Sequence, residues 1–139
     1  TAQALLADGI QKVGLLGTKY TMIQDFYKEK LIESGLEVLI PDQAGITEVN
    51  RIIYDELCLG DIKESSKQTY LAVIDDLKKA GAEAVILGCT EIGLLVKQSD
   101  TDLPLYDTTV IHAEKAAEWA VISDHRRQAQ PWVRACNFV

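Results

Sequence analysis

A thiol, a hydroxyl and a carboxylate stand in succession at Cys89, Thr90 and Glu91, directly after the apolar run Ala84-Val85-Ile86-Leu87 and Gly88. Such a run, ending abruptly in polar residues, describes a buried strand that delivers a cysteine to a sheet edge. The carboxyl ends of parallel strands are where α/β proteins hold ligands. A cysteine takes a proton or attacks only as its thiolate, which requires a lowered pKa or an adjacent base. A helix starting after Glu91 would set free backbone N–H groups beside the thiol. Those groups also suit a substrate carboxylate. Thr90 adds a hydroxyl donor to the same anion, and Glu91 orients a substrate ammonium or assists proton movement. The pattern equally describes a small packed residue closing a strand, since free cysteines are among the most buried residue types. The residues alone leave both readings open.

Gly17-Thr18-Lys19-Tyr20-Thr21 is a second candidate. It lies between an apolar run and a helical pattern, where Thr18 and Thr21 beside helical N–H groups would bind a small anion. The spacing is not that of a phosphate-binding Walker loop. Helix capping accounts for Thr21 and less readily for Thr18. Asp107-Thr108-Thr109 follows another short apolar run, and Asp107 is expected to cap the next helix. His112 within that helix is expected to be structural, and Cys58, among apolar neighbours, to be packed. Cys136 and His125 receive no role. The three cysteines have no metal-ligand spacing, so neither a metal nor a disulfide framework is expected.

Positioning these residues requires alternating strands and helices. Lys12-Val13-Gly14-Leu15-Leu16 is the first expected strand. Thr21 and Gln24 have capping-box spacing, predicting a helix with Ile23, Phe26, Tyr27, Lys30 and Leu31 on one face and Gly35 at its end. Residues 36–40 form a second strand before Pro41-Asp42. A helical stripe follows through Val49, Ile52, Ile53, Tyr54 and Leu57, closed by Gly60. Asp61 is expected to cap the next helix, which carries Tyr70, Val73, Ile74 and Leu77 and ends at Gly81. Residues 84–87 make a third strand, 92–96 a helical turn and 103–106 a fourth strand. Residues 109–120 form a last helix, with Ile111, Ala116 and Trp119 as packing candidates. This order predicts an α/β fold, a three-layer sandwich with a mostly parallel sheet of about four strands flanked by helices. Residues 1–121 make one lobe. Residues 122–139 show no strand or helix period and are expected to be a poorly ordered, atypical tail.

Composition narrows the class. The chain has 139 residues, enough for one core, with 47% hydrophobic and 25% charged residues, values ordinary for a soluble globular protein. A net charge of -7 argues against nucleic-acid binding but leaves room for a locally positive pocket. No apolar segment approaches the roughly 20 residues that cross a bilayer. The amino end has no basic region followed by an apolar core, so a cytoplasmic protein with free thiols is expected.

Four segments also carry a resemblance. They are Val13-Gly14-Leu15-Leu16-Gly17-Thr18-Lys19-Tyr20-Thr21-Met22, Asp55-Glu56-Leu57-Cys58-Leu59-Gly60, Gly88-Cys89-Thr90-Glu91-Ile92 and Leu103-Pro104-Leu105-Tyr106-Asp107-Thr108. In this order they resemble the second half of the aspartate/glutamate racemase family, amino-acid racemases that work without a cofactor. The resemblance covers roughly residues 12–120. It implies a two-lobe enzyme whose active site lies between the lobes, each giving one cysteine or a hydroxyl residue in its place. One thiolate removes the α-proton and the opposite thiol returns a proton to the other face. Cys89 matches the second-lobe cysteine. Thr90, Thr18 and Thr21 match positions that hold substrate carboxylates. The first-lobe Cys-Asn-Thr type motif has no counterpart, so the chain alone is not expected to racemise aspartate or glutamate. A first lobe or another copy of the chain, in a homo-oligomer, is the expected partner, and a small acidic amino acid the expected substrate. Two alternatives stand beside the racemase: a non-catalytic α/β anion-binding module, and a single-cysteine decarboxylase-type enzyme.

Overall fold

The computed structural model describes residues 1–128, and side-chain surroundings through residue 122. Among the described residues, four parallel strands form one sheet in the order β2-β1-β3-β4. They are β1 (Lys12–Leu16), β2 (Glu37–Leu39), β3 (Ala84–Leu87) and β4 (Leu105–Asp107). The helices are α1 (Ala2–Ala7), α2 (Lys19–Ile23), α3 (Asp25–Glu33), α4 (Gln43–Asp55), α5 (Glu64–Lys79), α6 (Ile92–Leu95) and α7 (Thr108–Gln128).

The two central strands explain the layers. All four residues of β3 are buried, as are Val13 to Leu16 of β1, the pattern of parallel strands covered on both faces. Strand alternation divides them. Val13, Leu15, Ala84 and Ile86 pack with Leu5 of α1 and Leu31 of α3 on one face. Leu16, Val85 and Leu87 pack on the other with Met22, Val49, Ile53, Tyr70, Ile74 and Leu77. The expected three-layer α/β sandwich is therefore observed. Its larger core is pinned by a polar bond: the fully buried Tyr70 hydroxyl donates to the Val49 carbonyl at 3.2 Å.

Several local expectations are corrected. Thr21 and Gln24 form no capping box, because Gln24 is extended (φ -73°, ψ 148°) and splits the segment into α2 and α3. Met22 and Leu31 are buried there, whereas Ile23 and Phe26 are exposed. Tyr54 faces outward. Asp61 pairs with the Lys63 ammonium at 3.0 Å, and α5 begins without a side-chain cap. Gly35 does end α3, in the left-handed region (φ +92°) that favours glycine.

The turn Leu57–Leu59 buries Leu57 and exposes Cys58, against the expectation of a packed thiol. The buried Glu56 holds this turn. Its carboxylate accepts from the Ser66 hydroxyl and from Arg51 at 2.8 Å, bonds that keep it below the usual carboxylate range. The last helix is longer than expected. α7 runs to Gln128, with Ile111 half-buried, Ala116 exposed and Trp119 70% exposed. The rest of the expected tail lies outside the described residues.

Candidate active site

Strand order places the site. From β1 the chain moves outward to β2, and from β3 it moves the opposite way to β4. The crevice at the carboxyl ends of β1 and β3 is therefore the topological switch point, where open α/β sheets hold ligands. Gly17-Thr18 leaves one of these strands and Gly88-Cys89 the other. Leu16 and Leu87 are register partners, and the Gly88 N–H donates to the Leu16 carbonyl at 2.7 Å. A Cβ on Gly88 would stand 2.9 Å from that same oxygen. Only glycine lets the two strand ends approach so closely, and this approach sets where Cys89 emerges.

Cys89 is half-buried, and its thiol donates to a Glu91 carboxylate oxygen at 2.9 Å. Burial pushes the thiol up to about 11, and the Glu91 carboxylate pushes the same way; the Glu91 backbone N–H beside the sulfur opposes them. The Cys89 thiol and the Thr90 hydroxyl hold Glu91 below the usual carboxylate range. A single proton is thus shared along S–H···O⁻ and rests on sulfur at neutral pH. Helix-end activation of the thiolate does not prevail. α6 is only four residues long, and its first N–H, that of Ile92, turns back to the Cys89 carbonyl at 3.2 Å.

The structure brings Cys89, Thr90 and Glu91 into one hydrogen-bonded group. Thr18 and Thr21 form a second group, with hydroxyls 3.1 Å apart. The roles expected for capping are reversed: Thr18 is the N-cap of α2 and accepts from the Thr21 N–H at 3.4 Å. Thr21 reaches the cysteine loop, since a Cβ on Gly88 would meet its methyl at 3.5 Å. Asp107 caps α7 as expected, accepting from the Thr109 N–H at 2.8 Å. The Thr108 hydroxyl donates to the Leu87 carbonyl at 2.9 Å and so ties the start of α7 to the end of β3.

Beside the cysteine loop lies a groove of about 610 Å³, lined by Thr90, Tyr27 and, along α7, Thr108, Thr109, His112 and Lys115. His112, expected to be structural, is exposed and lines this groove. The i, i+3 spacing of Thr109, His112 and Lys115 sets the three along one side of α7. Among the described residues no cluster of His, Cys, Asp and Glu suits a metal ion, and no helix is long and apolar enough to cross a membrane.

A parallel α/β lobe presenting a thiol–carboxylate pair at its switch point matches the Asp/Glu/Hydantoin racemase family model over residues 1–116, and the chain belongs to that family. A crystal structure of a candidate Asp/Glu racemase from Yersinia pestis is similar at 50% identity and TM-score 0.83, over 87% of this chain and 53% of that one. An aspartate racemase homologue from Pyrococcus horikoshii OT3 is similar at 42% identity and TM-score 0.79, over 86% of this chain and 53% of that one. The chain thus spans about half the length of these solved relatives. An uncharacterized protein encoded in the pnlA 3′ region of Pectobacterium carotovorum subsp. carotovorum is 34% identical over 121 residues, 86% of this chain and 79% of that protein.

Proposed function

We propose that this chain is the second lobe of a cofactor-independent racemase of small acidic amino acids, aspartate or glutamate, and that Cys89 is its proton-transfer residue. The supporting observation is the protonated thiol held by Glu91 at the sheet's switch point. In the reaction a base on the opposing lobe takes the α-proton, leaving a carbanion. The S–H bond of Cys89 breaks and its proton bonds to the α-carbon from the other face. The thiolate left on Cys89 is the base for the reverse direction. Thr90, Thr18 and Thr21 hold substrate carboxylates, and Glu91 positions the thiol. One lobe supplies one face only, so the isolated chain exchanges no stereochemistry. A first lobe completes the site, and the exposed Trp119 of α7 offers apolar surface to that lobe or to a second copy of the chain. The free thiols fit a cytoplasmic protein.

The thiol's raised pKa also favours a second reading, decarboxylation of an activated malonate, which needs a single proton donor. One measurement separates a ligand site at Cys89 from a packed thiol. In a Cys58→Ser, Cys136→Ser background, L-aspartate or L-glutamate should slow alkylation of Cys89. Alkylation unaffected by either amino acid would mark Cys89 as a packed thiol and refute the proposed site.

A further inference from the structure

The groove beside Thr90 carries more than the proton transfer requires. None of its lining residues is a carboxylate, on a protein whose net charge is -7. His112 and Lys115 share its α7 wall one turn apart. They line the groove together with Thr90, whose chain neighbours Cys89 and Glu91 form the hydrogen-bonded pair proposed for proton transfer. Lys115 is drawn toward Glu118 at 2.8 Å, which partly neutralises it. The His112 side chain makes no hydrogen bond or ion pair to the other described residues. The neighbouring hydroxyl of Thr108 and N–H of Thr109 are committed to Leu87 and Asp107. His112 is therefore an available imidazole donor on the α7 wall, beside the Thr109 hydroxyl.

We propose that His112 is a specificity residue: it donates to the second, side-chain carboxylate of a dicarboxylic amino acid whose α-carboxylate lies at Thr90, with Lys115 adding positive charge. The proposal deepens the racemase reading and rests on it for the placement of the α-carbon near Cys89. It assigns to His112 the choice of two-carboxylate substrates over their amides.

The test is an NMR titration of the full chain, following the His112 ring C2–H, identified by its loss in His112→Gln. Succinate is the dicarboxylate probe and propionate its single-carboxylate control. Calorimetry compares L-aspartate with L-asparagine on the wild type and on His112→Gln, with circular dichroism confirming that the variant is folded. Succinate should shift the His112 signal at concentrations where propionate does not. His112→Gln should weaken L-aspartate binding about tenfold, the size of a lost hydrogen bond to a charged group, and leave L-asparagine binding unchanged. An unmoved His112 signal, or equal losses for both amino acids, overturns the proposal. Cys89 alkylation in the same samples separates the two readings. An unmoved His112 with Cys89 protected by L-aspartate refutes the subsite alone. A shifted His112 with unprotected Cys89 refutes the proton-transfer reading and leaves the dicarboxylate subsite standing.

Discussion

Replacing Glu91 by glutamine should make Cys89 more reactive, the reverse of what a carboxylate acting as an activating base would give. In the native protein burial and the adjacent carboxylate raise the thiol to about 11. At pH 7 that is four pH units below the midpoint, so about one molecule in ten thousand carries the thiolate. An ordinary cysteine near 8.5 would carry about 3%. Alkylation by iodoacetamide follows the thiolate, so the Cys89 rate should climb about tenfold per pH unit from 7 to 10 and level off near 11. In Glu91→Gln the carboxylate's repulsion is gone while burial, the larger cause, remains. The midpoint should fall but stay above that of an exposed thiol, and the rate at pH 8 should rise severalfold. Peptide-resolved mass spectrometry measures this in the Cys58→Ser, Cys136→Ser background, since Cys58 is exposed and would otherwise react first. A midpoint below 8.5 in the native chain, or a slower Glu91→Gln variant, would refute the proton-donor account of Cys89.

Further outcomes follow from the same geometry. Gly88→Ala places a Cβ 2.9 Å from the Leu16 carbonyl, a backbone atom that cannot turn aside; urea unfolding should show a loss of about 1–3 kcal/mol, with altered Cys89 alkylation. Tyr70→Phe removes the bond to Val49 and should cost about 1 kcal/mol in the same assay. A thiol raised on folding contributes stability that is fully present below its unfolded value near 8.5 and is lost as pH rises through about 11. The urea midpoint should therefore fall across that alkaline window, and less steeply in Cys89→Ser.

The chemistry of β1 and β3 was legible because buried parallel strands read as unbroken apolar runs, and both runs end in the loops that meet at the switch point. Gly35 and the stripe Val49, Ile52, Ile53 and Leu57 were legible for the same reason: turn conformation and burial periodicity are local. Thr18 and Thr21 were not correctly apportioned, because either can cap and the extended backbone at Gln24 decides which does. The place of His112 on the groove was not legible, because periodicity shows which residues share a helix face but not what lies opposite. That depends on the Thr108–Leu87 bond, which sets α7 against the cysteine loop. Trp119 reads as a packing residue and is exposed here; among the described residues nothing covers it, which agrees with a lobe matching half of its solved relatives. The thiol's state was also beyond pattern, since it reflects burial competing with a four-residue helix end.

The central claim is that Cys89 is one of two proton-transfer groups, acting on one face of an acidic amino acid. The direct measurement incubates L-aspartate and L-glutamate in D2O with this chain, with a first lobe taken from a full-length relative, and with both together, following chirality and α-deuteration. The account predicts no inversion by this chain alone, and inversion with α-deuteration when the lobes are combined, abolished by Cys89→Ser. Racemisation by the isolated chain, or activity of the combined lobes that survives Cys89→Ser, would contradict it.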